Sequence, residues 1–277
     1  MSAASALPRA SRLGLVLGAG AALGAAHAGV LQVLDDAGVH CAVVVGASAG
    51  ALIGGGYAAG LSGTELADLV LAADWGTFAS WRPSRRWGVL DTSPLERTIE
   101  TRIGARRIEE LGRRFGATAF DLRTWEPVLL TSGRLATALR ASSAVPGLFA
   151  PVRVDDQLLV DGAVAGNVPV WAARRLHADR IIAVSLDNGP ADDAWGAARL
   201  FDRVNGARTR KRDLQRTSAT ADVLIRPDIR GLSRWSPKDV PRLVEAGRIA
   251  AQSRLQDISQ LGSATPSTAD WRLTSSS

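Results

Sequence analysis

Residues 13 to 60 hold two copies of one arrangement, and that repetition restricts what the chain can fold into more than any other feature. "LGLVLGAGAALGAAHAGVLQVLDDAG" and "CAVVVGASAGALIGGGYAAG" each run from an apolar strand-like stretch through a Gly/Ala turn into a helix-length segment. The spacing predicts a strand over Leu13 to Leu17, a helix over Ala21 to Ala37, a strand over Cys41 to Val45 and a helix over Ala49 to Ala59. Such a βαβα opening gives right-handed crossovers and a parallel sheet with helices packed on both faces. The expected fold class is therefore α/β, a three-layer sandwich around a mostly parallel central sheet. With 277 residues, 46% of them hydrophobic, the chain can bury one substantial core.

Further along, strands are expected at Ala117 to Leu122, Pro127 to Thr131, Val152 to Val154, Leu158 to Val160, Ile181 to Leu186 and Val223 to Arg226. "VRVDDQLLVDG" reads as a hairpin turning at Asp155 and Asp156. Helices are expected at Thr64 to Ala73, Leu135 to Ser142, Pro169 to Leu176, Ala197 to Ser218 and Val240 to Leu261. These elements form one domain over residues 12–261, after an N-terminal extension of residues 1–11. The Ser/Thr-rich stretch 262–277 is expected to be disordered. Residues 74–95, "DWGTFASWRPSRRWGVLDTSPL", break the alternation and interleave Trp75, Trp81 and Trp87 with Arg82, Arg85 and Arg86. Two readings stay open for them: a mobile cap or membrane-interface patch, and a surface loop whose tryptophans pack down on the core.

The second turn carries the chemistry. Ser48 stands between Gly46 and Gly50, at the junction of strand and helix. The five letters alone arise by chance in about one such chain in five, so the strand-to-helix context has to support them. It does, and Gly54, Gly55 and Gly56 inside the following helix fit a close approach by another backbone. A serine hydroxyl needs a base and an oxyanion needs donors. Asp161 ends a short strand before the flexible Gly162-Ala163 turn, a good position for a carboxylate facing the Ser48 turn. The first turn, closed by Gly24, opens a helix whose free N–H groups point toward incoming negative charge.

Composition narrows the alternatives. Cys41 is the single cysteine, so no disulfide framework or cysteine-based metal site is expected, and a reducing, cytoplasmic setting fits. His27, His40 and His177 lack paired metal-ligand spacing, and neither metal nor cofactor is expected. "PRASRLGLVLGAGAALGAAHA" has the outline of a secretory signal, but four glycines interrupt its apolar run and the helical period continues beyond it. The net charge of +6 is almost wholly arginine, Lys211 and Lys238 being the only lysines. Arginine clusters at 82–86, 106–114 and 208–216 read as solvated helix faces or as a means of transient contact with acidic membrane surfaces. No base-reading motif is present, and no nucleic-acid partner is expected.

Three ordered motifs resemble the patatin-like serine acyl hydrolases: Leu13 to Gly60, then "SGRLATALRASSAVPGLFAPVRVDDQLLVDGAVAGNVPV" at residues 132–170, then "ADRIIAVSL" with "ADVLIRPDI". The resemblance implies an α/β sandwich that cleaves lipid acyl esters with a Ser-Asp dyad. By this match Ser48 is the nucleophile and Asp161 its base, the latter in the family's Asp-Gly-Gly/Ala motif. The family's oxyanion segment, Gly-Gly-Gly-x-Arg-Gly, falls on "AGAALG", residues 19–24. Ala19 and Ala21 replace glycines there, and Leu23 stands where the family has arginine. Backbone N–H groups of Gly20, Ala21 and Ala22 are the implied oxyanion donors, provided that Ala21 tolerates a positive φ.

Other functions compete with this one. A catalytically weak or inactive lipid-binding protein keeps the fold and loses the chemistry, as the missing arginine allows. A Ser48-Asp161-His177 triad follows the chain order of other hydrolases. A nucleotide-binding module would use "LGLVLGAGAALG", although its Gly-x-Gly-x-x-x-Gly spacing is irregular and Gly46 occupies the place of the acidic ribose ligand. His27, on the first helix, reads as a packing histidine.

Overall fold

The computed structural model describes residues 12–73, 80–83, 90–187, 215, 217–233 and 236–263. Its strands are β1 (Leu13–Leu17), β2 (Val43–Ala47), β3 (Ser80–Pro83), β4 (Leu90–Asp91), β5 (Arg114–Asp121), β6 (Glu126–Leu130), β7 (Val152–Val154), β8 (Gln157–Asp161), β9 (Arg180–Val184) and β10 (Val223–Ile225). The helices are α1 (Ala25–Asp36), α2 (Ala49–Ala58), α3 (Gly63–Leu71), α4 (Ser93–Ile103), α5 (Leu135–Ser142), α6 (Val170–Arg175), α7 (Val240–Gln252) and α8 (Leu255–Ser263). The main sheet runs β10-β9-β1-β2-β5-β8-β7, with β6 also paired to β5; β3 and β4 form a separate antiparallel pair.

From β10 to β5 the pairings are parallel, as the βαβα opening requires. β6, β7 and β8 add antiparallel pairings at the other side. Alternate residues of the central strands enter two separate cores. Leu15, Leu17 and Val44 pack with α1, α2, α3, α5 and α7, whereas Val16, Val43 and Val45 pack with Val170, Ala172 and Ala173 of α6 on the opposite face. These clusters are the two interfaces of a three-layer sandwich.

The register of β5 positions the site. Along one edge its first half pairs with β2, ending at Ala47 opposite Thr118, and its next residue, Ala119, pairs with Asp161 of β8. β2 and β8 therefore meet end to end, which brings Ser48, the residue after β2, to the last residue of β8. Helix α1 is held beneath by a very close crossing with α7: a Cβ added at Gly29 would lie 1.9 Å from the Val244 carbonyl oxygen, and one at Gly247 would lie 1.9 Å from that of Ala26. The Asp35 carboxylate accepts hydrogen bonds from the Tyr57 hydroxyl and the Gly63 N–H, both at 2.7 Å, and ties α1 to α2 and to the start of α3.

Several elements depart from expectation. The predicted helix over Ala21 to Ala37 begins as a 3-10 turn, Ala21–Gly24, before becoming α-helical. The single helix expected over Val240 to Leu261 is two: Arg254 N–H turns back to the Ala251 carbonyl at i−3, and the Ser253 hydroxyl takes the Ala250 carbonyl, a competition that ends α7. Helix α4 is absent from the expected helices, although "SPLERTIETRI" carries Pro94 in its first turn and Leu95, Ile99 and Ile103 about one turn apart. The hairpin of β7 and β8 turns at Asp155 and Asp156 as expected. Most of the Trp/Arg-rich segment, the expected helix Ala197 to Ser218 except at 215, 217 and 218, the N-terminal extension and most of the C-terminal tail lie outside the described residues. No helix among the described residues is long and apolar enough to cross a membrane.

Candidate active site

Ser48 caps α2 in a conformation that L-residues rarely adopt, φ 53° and ψ −123°. Such backbone costs about 1–3 kcal/mol and persists only where the surroundings over-determine it. The surroundings here do so by close packing. A Cβ at Gly46 would meet the Gly50 carbonyl at 2.3 Å, and one at Gly50 would meet the Leu17 carbonyl oxygen at 2.1 Å. Both glycines flanking the serine are therefore fixed by space: α2 has to start directly against the end of β1.

The Ser48 hydroxyl donates to Asp161 Oδ2 at 2.6 Å, across 113 residues of sequence. The other carboxylate oxygen, Oδ1, accepts the Ala163 N–H at 2.8 Å, so the turn that follows the aspartate orients it. Gly162 makes that turn fit, because a Cβ there would lie 2.4 Å from the Thr118 carbonyl oxygen. Asp161 is 1% exposed and Ser48 7%. Burial drives the Asp161 carboxyl up to about 6, against the opposing pull of the Ser48 hydroxyl and the Ala163 N–H. The pair is thus a short, oriented hydrogen bond whose acceptor changes charge near neutral pH.

The segment Ala19 to Gly24 runs beside the start of α2. Gly24 touches it so closely that an added Cβ would lie 2.4 Å from the Ala49 Cβ. Ala21 adopts φ 51°, in the left-handed region that L side chains rarely enter. The Ala19 N–H donates to the Asn167 carbonyl at 2.8 Å and the Gly18 N–H to the Val184 carbonyl at 3.0 Å. Those of Gly20, Ala21 and Ala22 have no acceptor among the described residues. Three neighbouring N–H groups are thus left without a partner among the described residues where the 3-10 turn Ala21–Gly24 begins. Leu23 turns the other way: it is 1% exposed and belongs to the main core.

His27 is fully buried, its Nε2 2.7 Å from the Gly18 carbonyl oxygen, and burial lowers its pKa to about 4, so the ring is neutral and donates that bond. It pins the turn at the end of β1, in keeping with a packing histidine. His177 is exposed and follows α6, just before β9 begins. Since β9 runs parallel to β1 and β2, His177 lies at the strands' N-terminal edge, whereas Ser48 lies at their C-terminal edge. The structure brings Ser48 to Asp161, sets the end of the Ala19 to Gly24 segment against Ala49 beside the serine, and leaves His177 at the opposite edge of the sheet.

A patatin-like phospholipase family profile matches residues 15–174. The chain belongs to that family. It is 36% identical over 194 residues to an NTE family protein of Mycobacterium tuberculosis, an alignment that covers 66% of this chain and 52% of the relative. It is 29% identical over 207 residues to a lysophospholipase of Neurospora crassa, covering 70% of this chain and 14% of that protein. The chain thus spans about half the length of the mycobacterial relative and a small part of the fungal one. A crystal structure of VipD from Legionella pneumophila superposes with a TM-score of 0.54 at 14% identity, covering 91% of this chain and 67% of the other, a likeness of fold. Within the patatin-like family frame, two buried hydroxyls that sequence reasoning missed join the site. Ser142 accepts the Ser48 N–H at 3.0 Å and donates to the Thr118 carbonyl at 2.6 Å; Thr118 Oγ1 donates to the Gly46 carbonyl at 3.2 Å. The only signal for Ser142 was its place in "ASSAVPG", where nothing in spacing or periodicity distinguishes it from Ser143.

Proposed function

We propose that this chain is a serine lipid acyl hydrolase, of phospholipase, lysophospholipase or carboxylesterase type, working through Ser48 and Asp161. The observation that carries the reading is the 2.6 Å hydrogen bond from a strained turn serine to a buried carboxylate, with the Ala19 to Gly24 segment packed against the residue after the serine. Family membership supports the substrate class, a carboxylic ester of a lipid acyl chain. In the acylation step Ser48 Oγ attacks the carbonyl carbon while Asp161 takes its proton. Negative charge then collects on the carbonyl oxygen, where the N–H groups of Gly20, Ala21 and Ala22 are the proposed donors. Collapse expels the alcohol, which takes the proton from Asp161 and leaves an acyl ester on Ser48. Water attacks that ester, giving a proton to Asp161; the acid departs and the proton returns to Ser48. The position of Ser48 at the first turn of α2 also favours negative charge there.

Asp161 has to be ionised to accept a proton, so kcat/KM is expected to rise through about pH 6 and level off above it. Fluorophosphonate labelling tests the assignment directly. Label on the wild type that is lost in Ser48→Ala, with hydrolysis of a short p-nitrophenyl ester rising over that pH window, supports the hydrolase. A folded wild type that takes no label overturns it and leaves a lipid-binding protein of the same fold.

A further inference from the structure

The N–H of Ser48 belongs neither to the β2 ladder, which ends at Ala47, nor to the helical bonds of α2. It is held by Ser142, a fully buried residue at the end of α5, 94 positions along the chain. A serine hydroxyl has one proton to give, and this one gives it to the Thr118 carbonyl at 2.6 Å, so its lone pair is turned toward the Ser48 N–H. Two residues later the Ala144 carbonyl accepts the Asp161 N–H at 3.0 Å. One short segment, Ser142 to Ala144, therefore grips the backbone N–H of both members of the Ser48–Asp161 pair. Thr118 completes the frame, pairing with Ala47 in the sheet, closing on Gly162 and donating to Gly46.

We propose that the end of α5 is the gauge that sets the Ser48–Asp161 distance, and that Ser142 is a positioning residue acting through Ser48. The proposal rests on the hydrolase reading for its kinetic consequence, though its structural half stands apart from it. Without the Ser142 hydroxyl the strained turn loses the one group that satisfies its N–H, and the Ser48 side chain departs from its line to Asp161. Misplacement on that scale costs up to about a hundredfold in rate.

The test uses the full chain as Ser142→Ala and Ser142→Cys, the cysteine filling the site with a somewhat larger atom while greatly weakening the hydrogen bonds. Both are expected to slow phosphonylation of Ser48 by about 10- to 100-fold, measured per fluorophosphonate-titrated site, with KM for a p-nitrophenyl ester changed less than about twofold. The midpoint of the pH profile moves up, because Asp161 loses the Ser48 hydroxyl that opposes the effect of burial while keeping the Ala163 N–H. Amide exchange at Ser48, followed by NMR, accelerates by about tenfold or more. A Ser142→Cys protein that labels at the wild-type rate, or a Ser48 amide as protected as before, overturns the proposal, and the cysteine variant decides the matter if the alanine variant does not fold. A wild type that takes no label overturns the hydrolase reading instead, and the amide measurement still decides whether Ser142 holds the turn.

Discussion

The turns after β1 and β2 are neighbours built to one plan and secured in different ways. The two strands pair in parallel, Leu17 beside Gly46, and each leads into a non-glycine residue with positive φ, Ala21 at 51° and Ser48 at 53°. Around Ser48 the restraints come from side chains: Ser142 on its N–H, Asp161 on its hydroxyl and Thr118 on the Gly46 carbonyl. Around Ala21 they fall on the flanking backbone, with His27 on the Gly18 carbonyl and the Asn167 carbonyl on Ala19, while the next three N–H groups have no partner among the described residues. The difference suits the tasks of the proposed hydrolase. A nucleophile there has to be aimed, which takes partners for each of its polar atoms, whereas an oxyanion pocket has to keep its donors free, which is achieved by fixing the chain on either side.

The largest expected effect breaks the better-secured side. Asp161→Asn removes the proposed base and is expected to lower kcat/KM by about ten-thousandfold or more. The same substitution stabilises the protein at neutral pH. Because the folded carboxyl titrates near 6 against an ordinary 3.8, the folded state binds the proton more tightly than the unfolded chain does. The stability this gives is complete below about pH 4 and is lost as pH rises through 6, a change on the order of 3 kcal/mol. Urea unfolding at pH 8 should find Asp161→Asn more stable than the wild type, with the gap closing toward pH 4. An unchanged gap across that range would mean that Asp161 titrates as an ordinary surface carboxylate.

On the other turn, Leu23→Arg would restore the family's arginine in sequence only. Leu23 is packed in the core, so the substitution buries an unpaired guanidinium and is expected to cost about 3 kcal/mol or more. A variant with unchanged melting temperature and faster turnover would show that the Ala19–Gly24 turn can rotate its side chain into the site. At Ser48 the strain itself is measurable. Ser48→Ala and Ser48→Gly both lose the hydroxyl, but only glycine relieves φ 53°, so the glycine variant should be more stable by about 1–2 kcal/mol after its greater unfolded-chain entropy is counted.

What the sequence disclosed follows from where the physics is local. The βαβα opening was readable because each strand and helix announces itself by its own hydrophobic period, and the three-layer sandwich followed from handedness. Ser48 and Asp161 were readable because glycines mark both turns, and those glycines prove to be places where a Cβ would strike backbone. Ser142 and Thr118 were hidden for the opposite reason. Their hydroxyls act across 94 and 72 residues, and nothing adjacent to either in sequence needs them. Leu23 was misleading in the same way. Alignment to the family's pattern gives its position, but only the 3-10 turn at Ala21–Gly24 determines that it points inward.

The smallest effect separates the two turns most finely. Ala21→Gly relieves a left-handed alanine, worth about 1–2 kcal/mol, but gives part of that back as unfolded-chain entropy, leaving about 0.5–1 kcal/mol of added stability. If the pinned residues on either side already determine the turn, the three N–H groups stay where they are, and kcat should change less than about twofold. A tenfold fall in kcat from a more stable Ala21→Gly protein would instead mean that the alanine methyl, through the left-handed strain it imposes, holds the donors in line. The turn after β1 would then resemble the one after β2, with a side chain as its restraint.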